Sequence, residues 1–210
     1  MIIRSKQVII EGDCLKVMKT FKDNQFDLVL TDPPYGKKAS KGTNGLGVAK
    51  NRTYTGNWDN SPPSQEYFDE IRRVSQHQII FGGNYFTDKL PPSNCWIVWD
   101  KVGNIKFNNP FAQAELAWTS FNKTVKKYTV VAQGFVRDSK DEVKHPTQKP
   151  TELLKQIMSD FVQDGWTILD PFAGSGTTLR ACKDLGLDCT GIEIDPGYVK
   201  IAQGRLKDKE

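Results

Sequence analysis

A short run early in the sequence combines a carboxylate, two prolines and an aromatic ring. Residues 31–36, TDPPYG, follow directly on an apolar segment at 27–30. Because the prolines lack N–H donors and have a fixed φ, they hold the local carbonyls in a stiff, extended path. Asp32 and the carbonyl of Pro33 could accept both hydrogens of an exocyclic NH2 group while Tyr35 stacks on the ring that carries it. An ordinary turn is the alternative interpretation.

A second run places small residues between a strand signal and a helix signal. In residues 169–178, LDPFAGSGTT, the glycines let the backbone approach a ligand, and the helix N-terminus offers free amides. The run lacks the lysine of a phosphate-binding loop and the third glycine of a dinucleotide fingerprint. Glu193 follows about 20 residues later, where an acidic side chain can bind a ribose diol. These features favour a nucleoside cofactor without phosphates over ATP or NAD.

The elements that must carry these two runs follow an alternating pattern. Short apolar segments rich in β-branched residues alternate with helical periodicity, which predicts an α/β fold with a parallel sheet covered on both faces. A chain of 210 residues suits a single domain over 1–210. Strands are expected at 8–10, 26–30, 78–81, 95–99, 167–169 and 189–192. Helices are expected around 15–19, 67–74, 153–162, 176–185 and from 196.

Two segments depart from this alternation. Residues 36–63 lack periodicity and are long for a connection inside a compact domain. Residues 121–147 show only a weak strand signal around 128–132, which suggests a small inserted hairpin. Basic residues are concentrated in both, since 36–57 holds five Lys or Arg and no acid in a chain of net charge +4. Such a distribution suits a phosphate-facing surface, although short runs of like charge are also common on ordinary surfaces.

The cysteines and histidines indicate neither disulfides nor a metal site. The four cysteines are scattered without CxxC spacing, and the sequence shows no signal-peptide pattern and no long apolar run. This predicts reduced thiols in a cytoplasmic protein without membrane contact. Neither His77 nor His145 has metal-ligand spacing, so no metal is expected.

Taken together, the two runs resemble those of the amino-methyltransferases that act on exocyclic amino groups. DPPY at 32–35 precedes FAGSG at 172–176, as in the beta class of DNA methyltransferases with its permuted motif order. Further matches in the family's order are GDC at 12–14, HPTQKP at 145–150 and GIE at 191–193. The resemblance covers nearly the whole chain except the basic loop and the segment before His145. It implies a Rossmann-like methyltransferase fold with a mostly parallel sheet.

The resemblance also implies a cofactor, a target and their contacts. S-adenosylmethionine would be converted to S-adenosylhomocysteine, and the N6 amino group of adenine in DNA would receive the methyl group. Asp13 would bind the adenine amino group of the cofactor, and Glu193 would bind its ribose. The expected catalytic residues are Asp32, Pro33, Pro34 and Tyr35. The expected cofactor contacts are Asp13, Cys14, Asp32, Thr147, Lys149, Asp170, Phe172, Ala173, Gly174, Ser175, Gly176, Thr177, Glu193 and Ile194.

The DNA partner is expected to present a flipped or unpaired base, because a duplex blocks the approach to the target amine. Phosphate contacts would come from the basic loop. The residues expected to make them are Lys37, Lys38, Lys41, Lys50 and Arg52. A homodimer is one possible assembly, and a restriction-modification enzyme of prokaryotic or phage type is the expected context. The segment at 121–147 would contribute to target recognition.

Four alternatives remain open on the sequence. Cytosine N4 methylation is one, although that group more often carries Ser-Pro-Pro with an aromatic residue. Methylation of adenine in RNA is the second. Methylation of a protein glutamine is the third, although the enzymes of that group usually begin their motif with Asn and place the cofactor loop first. A non-catalytic DNA-binding protein with a retained cofactor fold is disfavoured by the intact residues 32–35.

Overall fold

The computed structural model describes residues 5–36, 62–105, 112–133, 136–137 and 148–207. Its strands are β1 (Gln7–Glu11), β2 (Phe26–Thr31), β3 (Ser75–Phe81), β4 (Trp96–Asp100), β5 (Ala114–Thr119), β6 (Lys126–Thr129), β7 (Ala132–Gln133), β8 (Val136–Arg137), β9 (Thr167–Asp170) and β10 (Asp188–Glu193). Its α-helices are α1 (Cys14–Met18), α2 (Gln65–Val74), α3 (Thr151–Phe161), α4 (Thr177–Leu185) and α5 (Pro196–Leu206), and Gly83–Tyr85 form a 3-10 turn.

Eight of these strands form one sheet in the order β1-β10-β9-β2-β3-β5-β4-β6. The five strands from β1 to β3 in this order are parallel, β5 is antiparallel to both of its neighbours, and β6 is parallel to β4. Among these eight strands, β5 alone therefore runs against the others. The mostly parallel α/β fold predicted from the alternating pattern is confirmed.

The sheet is buried on both faces, which explains the apolar run of residues 28–30 in β2. Leu28 and Leu30 point into a core built with α3 and α4, whereas Val29 between them points into a core built with α1 and α2. Consecutive residues of a strand face opposite sides, so a strand covered on both faces needs apolar residues throughout. The β2 and β9 strands lie side by side, with Leu28 paired to Ile168 and Val29 to Leu169.

Two aspartates start the helices that follow β1 and β10. Asp13 Oδ1 accepts hydrogen bonds from the amides of Leu15 at 2.9 Å and Lys16 at 3.3 Å, which caps α1. Asp195 Oδ1 accepts from the amide of Gly197 at 2.7 Å, and Pro196 occupies the first turn of α5. Both caps satisfy amides that have no partner inside the helix.

The structure differs from the sequence prediction mainly at one end of the sheet. The sequence pattern did not predict β5, whose sequence AELAWT is poor in β-branched residues. Within the segment at 121–147, β6 joins the main sheet beside β4, while β7 and β8 form a separate antiparallel pair. Residues 37–61 and 138–147 lie outside the described residues. In the part of the chain that the structure describes, no helix has both the length and the apolar character needed to span a membrane.

Candidate active site

The turn after β2 holds Asp32 between a phenol and an ammonium group. The Tyr35 hydroxyl donates a short hydrogen bond to Asp32 Oδ1, and Lys149 Nζ donates to Asp32 Oδ2 at 2.5 Å. The Tyr35 hydroxyl also lies 3.5 Å from Lys149 Nζ. Burial raises the pKa of Asp32, while Lys149 and Tyr35 act in the opposite direction. The carboxylate is thus held by two donors and remains one-quarter exposed at the edge of a cleft.

Lys149 joins this turn to β5. Its side chain is only 7% exposed, and its ammonium lies 3.3 Å from Glu115 Oε2 as well as against Asp32. Burial alone would favour the neutral amine, but Asp32 and Glu115 keep the pKa of Lys149 above its ordinary value. The resemblance assigned Lys149 to the cofactor, whereas here its ammonium contacts the Asp32 carboxylate.

The ring of Tyr35 is fixed by a glycine and a second tyrosine. Gly82 has a φ of +68°, and a Cβ at this position would lie 2.1 Å from Tyr35 Cε1. The ring of Tyr85 lies 4.9 Å from that of Tyr35, centroid to centroid, and Tyr85 is 40% exposed. Burial and the neighbouring Asp32 raise the pKa of Tyr35 well above its ordinary value. The phenol therefore stays protonated and donates to Asp32.

The end of β9 carries a second aspartate with different partners. Asp170 Oδ1 accepts from the Thr31 hydroxyl at 2.8 Å and from the Phe172 amide at 3.1 Å. Burial raises the pKa of Asp170 to about 6, opposed by hydrogen bonds from Thr178 and Thr31. The carboxylate is nearly inaccessible and links the ends of β2 and β9.

The glycine-rich loop after Asp170 is hydrogen-bonded to the Glu193 carboxylate. The Gly174 amide donates to Glu193 Oε2 at 2.8 Å, and the Asp195 amide donates to Oε1 at 2.8 Å. Gly174 has a φ of +52°, and a Cβ there would meet no atom within 4 Å. Gly176 differs, because a Cβ there would lie 2.7 Å from Ala202 Cβ. Gly174 thus faces open space that a ligand could fill, whereas Gly176 lets α4 approach α5.

Both turns and the loop border one cleft with a volume of about 1240 Å³. Every predicted catalytic or cofactor residue in the described part of the chain lines it, except Gly176. Cys14 is among them, and burial together with Asp13 raises the pKa of its thiol to about 12, so that it stays protonated. Thr147 and the five basic residues assigned to phosphate contacts lie outside the described residues.

Among the other residues that line this cleft, Gly82, Tyr85 and Glu115 were assigned no role from the sequence. The run GGNY at 82–85 directly after β3 is a signal that could have pointed to the first two. Glu115 lies in the strand that the sequence did not predict. Within the described ranges, no group of three or more His, Cys, Asp or Glu side chains is arranged to hold a metal ion.

Comparisons with known proteins identify relatives that match most of the chain. Type II methyltransferase M.HpaI of Haemophilus parainfluenzae is 26% identical, covering 95% of this chain and 74% of that protein. Type II methyltransferase M.HinfI of Haemophilus influenzae is 27% identical, covering 95% and 68%.

Solved structures show the same fold at lower identity. The M1.HpyAVI–SAM complex superposes with a TM-score of 0.61 at 22% identity, covering 96% of this chain and all of that one. The cytosine-N4-specific PvuII DNA methyltransferase superposes with a TM-score of 0.64 at 14% identity, covering 99% of this chain and 88% of that one.

The model of the DNA methylase family N6_N4_Mtase matches residues 86–204, which is more than half of the chain. The chain therefore belongs to the N6/N4 family of DNA methylases.

Proposed function

We propose that this protein transfers a methyl group from S-adenosylmethionine to the N6 amino group of adenine in DNA. Membership of the DNA methylase family supports DNA methylation, and the adenine assignment is the finer step. The observation that carries the proposal is the position of Asp32. Its carboxylate lies at the edge of the same cleft that Gly174 and Glu193 border, so one cavity offers acceptors for an amine beside a cradle for a nucleoside.

The residues of the Gly174 side fit a nucleoside cofactor. Gly174 leaves open space where a side chain would otherwise stand, and Glu193 presents carboxylate oxygens for ribose hydroxyls. Asp13 uses Oδ1 for both bonds that cap α1, and Oδ2 is the oxygen that would accept from the adenine amino group. Ile194 is 61% exposed and lines the cleft, which suits an apolar contact with a purine ring. When bound, the cofactor supplies the methyl group.

Asp32 and the Pro33 carbonyl would accept hydrogen bonds from the target NH2 group. The lone pair of this nitrogen is delocalised into the ring, and two acceptors favour a pyramidal nitrogen with an available lone pair. As the nitrogen attacks, it gains positive charge, which preorganised acceptors stabilise by about 3–4 kcal/mol for each group. Lys149 and Tyr35 orient the Asp32 carboxylate, and each of its oxygens can accept a second bond.

The size of the cleft supports a base flipped out of the duplex or left unpaired. Pockets for one small ligand usually enclose about 300–1,000 Å³, and the present cleft exceeds that range at about 1240 Å³. A nucleoside cofactor and a target base could therefore occupy it together. The adjacent rings of Tyr35 and Tyr85 offer a surface on which the base can stack.

Contacts with the DNA backbone are assigned to the basic loop at residues 36–63. Lys37, Lys38, Lys41, Lys50 and Arg52 supply charge without a base-reading pattern, and their replacement by Gln is expected to weaken all DNA sequences alike. The slope of the logarithm of the binding constant against the logarithm of salt concentration should then fall by about 0.9 for each phosphate that the variant no longer neutralises.

The homodimer implied by the family resemblance also stays a prediction, and the mass of the particle in solution tests it.

The experiment uses a labelled methyl group. Wild-type protein is incubated with tritiated S-adenosylmethionine and with DNA, RNA or protein as acceptor, and labelled DNA is digested to nucleosides for mass spectrometry. We expect label in DNA only, as N6-methyl-2′-deoxyadenosine. Label in N4-methylcytosine would overturn the adenine assignment, while label in RNA or protein without label in DNA would overturn the proposed substrate.

A further inference from the structure

Glu115 is an acidic residue of the cleft that belongs to none of the motifs. It lies on β5, the one strand of the eight in the main sheet that runs against the others, and its side chain stands between two lysines. Lys101 Nζ donates to Glu115 Oε1 at 2.7 Å. Lys149 Nζ lies 3.3 Å from Oε2, close enough for an ion pair, but this buried oxygen has no hydrogen bond within the described residues.

The buried ammonium of Lys149 thus interacts unequally with two carboxylates, those of Asp32 and Glu115. It donates to Asp32 at 2.5 Å and faces the unbonded oxygen of Glu115 at the longer distance. A buried ammonium needs a compensating charge, and here two carboxylates compete for it. The more strongly Glu115 attracts the Lys149 ammonium, the weaker is the electrostatic effect of that ammonium on the Asp32 carboxylate.

We infer that Glu115 is a positioning residue of the methyl transfer, which balances the Lys149 ammonium so that Asp32 remains an effective acceptor for the target amine. The inference rests on the proposed function, since it needs an amine that gains positive charge beside Asp32. Without the Glu115 charge, Lys149 is compensated by Asp32 alone, and the surroundings of the reacting nitrogen become more positive by one unit. The transition state, which carries new positive charge, is then stabilised less.

The pH dependence distinguishes this role from simple support of the sheet. The titratable groups around Lys149 and Asp32 are Tyr35, Glu115 with its partner Lys101, and Asp170, whose own pKa the charge of Asp32 raises. The negative charge of Glu115 raises the pKa of Asp32. Its loss must therefore move the acid limb of kcat to lower pH.

The test compares Glu115→Gln with Lys101→Gln. The first variant removes the charge from the oxygen that faces Lys149. The second removes the outer partner of Glu115 and keeps the charge next to Lys149, and Lys101 does not line the cleft. For Glu115→Gln we expect kcat on DNA to fall by about 10- to 100-fold with its acid limb at lower pH, since a preorganised charge acts mainly in the transition state. The KM for S-adenosylmethionine should change little.

Lys101→Gln should keep kcat within about threefold of wild type, because it touches no group that gains charge in the reaction. Wild-type kcat and acid limb in Glu115→Gln would overturn the inference, as would the same loss and shift in Lys101→Gln. If Glu115→Gln does not fold, Glu115→Asp keeps the charge, and a shifted acid limb in that variant overturns the inference. Absence of DNA methylation by the wild-type protein would instead count against the proposed function.

Discussion

Two Asp-Pro turns leave neighbouring parallel strands at the same edge of the sheet, yet their carboxylates have different surroundings. Asp32 follows β2 and is held by Lys149, which is 117 residues distant in sequence, and by the hydroxyl of Tyr35. Asp170 is the last residue of β9, and its hydrogen-bond donors in the described part of the chain are neutral groups such as the Thr31 hydroxyl and the Phe172 amide. The side chain of Asp32 is one-quarter exposed, whereas Asp170 is 4% exposed.

The difference between the turns shows that the partners, rather than the dipeptide, decide what each carboxylate can do. Lys149 opposes the rise in the pKa of Asp32 that burial causes, and the Asp32 carboxylate lies at the edge of the cleft, where it can accept from an amine. Asp170 has neutral donors and a pKa of about 6, and it binds the residue that directly precedes Asp32. On the proposed function, Asp32 takes part in the chemistry and Asp170 fixes the strand end that carries it.

Among variants that leave both aspartates in place, the largest effect is expected from Lys149→Met, which removes the charge that distinguishes the two turns. Losing one partner of a buried ion pair typically costs about 3–5 kcal/mol of stability. Asp32 and Glu115 would then face each other without the ammonium between them, so Asp32 would bind a proton more readily and methyl transfer should fall at least about 100-fold. Urea unfolding and single-turnover kinetics measure the two losses.

The control is Lys155→Met, which breaks the exposed ion pair of Lys155 with Glu152 on α3. Exposed pairs contribute about 0–1 kcal/mol, so this variant should resemble wild type in both measurements. An equal loss of stability in the two variants would remove the special status of Lys149.

Gly82→Ala disturbs the Asp32 turn through Tyr35. Its positive φ costs an L-residue about 1–2 kcal/mol, and the added Cβ would lie 2.1 Å from Tyr35 Cε1. The ring must move, so its hydroxyl loses its place on Asp32, and kcat should fall by about 10-fold or more because catalysis depends on positioning. Gly165→Ala is the matched control, with a φ of +80° and no atom within 4 Å of its Cβ. A similar fall in kcat for both would show that backbone strain alone explains the effect.

Asp170→Asn tests the other turn through the pH dependence of stability. The folded pKa of Asp170 is about 6, above its ordinary value of 3.8, so the native state binds this proton more tightly than the unfolded chain does. This group's contribution to wild-type stability is therefore lost as pH rises from about 4 to about 6, by roughly 3 kcal/mol in total. Asn carries no such proton, so the unfolding free energy of the variant relative to wild type should rise over this interval. A difference that is the same throughout it would contradict the assignment.

The smallest expected effect concerns the loop beyond Asp170. Glu193→Gln leaves one carbonyl oxygen for the amides of Gly174 and Asp195 and for the ribose. Calorimetry should show S-adenosylmethionine binding weakened by about 1–3 kcal/mol, because a buried hydrogen-bond partner is removed. Asp13→Ala should have an effect of similar size at the adenine end. Unchanged affinity in both variants would place the nucleoside elsewhere.

The sequence was sufficient to predict the positions of both Asp-Pro turns. Each follows a continuous apolar run, and parallel strands end at one edge of the sheet, so Asp32 and Asp170 had to lie near each other. The sequence analysis assigned Asp13 to the cofactor and gave Asp195 no role, although both residues cap helices through local bonds. The contact between Lys149 and Asp32 was not predicted, since no local pattern specifies which carboxylate a distant lysine will meet.

Glu115 was missed for a related reason. Its strand, AELAWT, has low strand propensity and is stabilised by pairing with β3 and β4 on both sides. Only once β5 is inserted between these strands does Glu115 come to face Lys149. The charge network is therefore a property of the assembled sheet.

The role of Asp32 is tested most directly by the behaviour of Asp32→Ala in two measurements on the same preparation. Calorimetry reports S-adenosylmethionine binding, and transfer of a tritiated methyl group to DNA reports the chemistry. We expect cofactor affinity within about threefold of wild type together with no detectable methyl transfer, because Asp32 would act on the target amine in the transition state. Substantial transfer by Asp32→Ala would contradict this role.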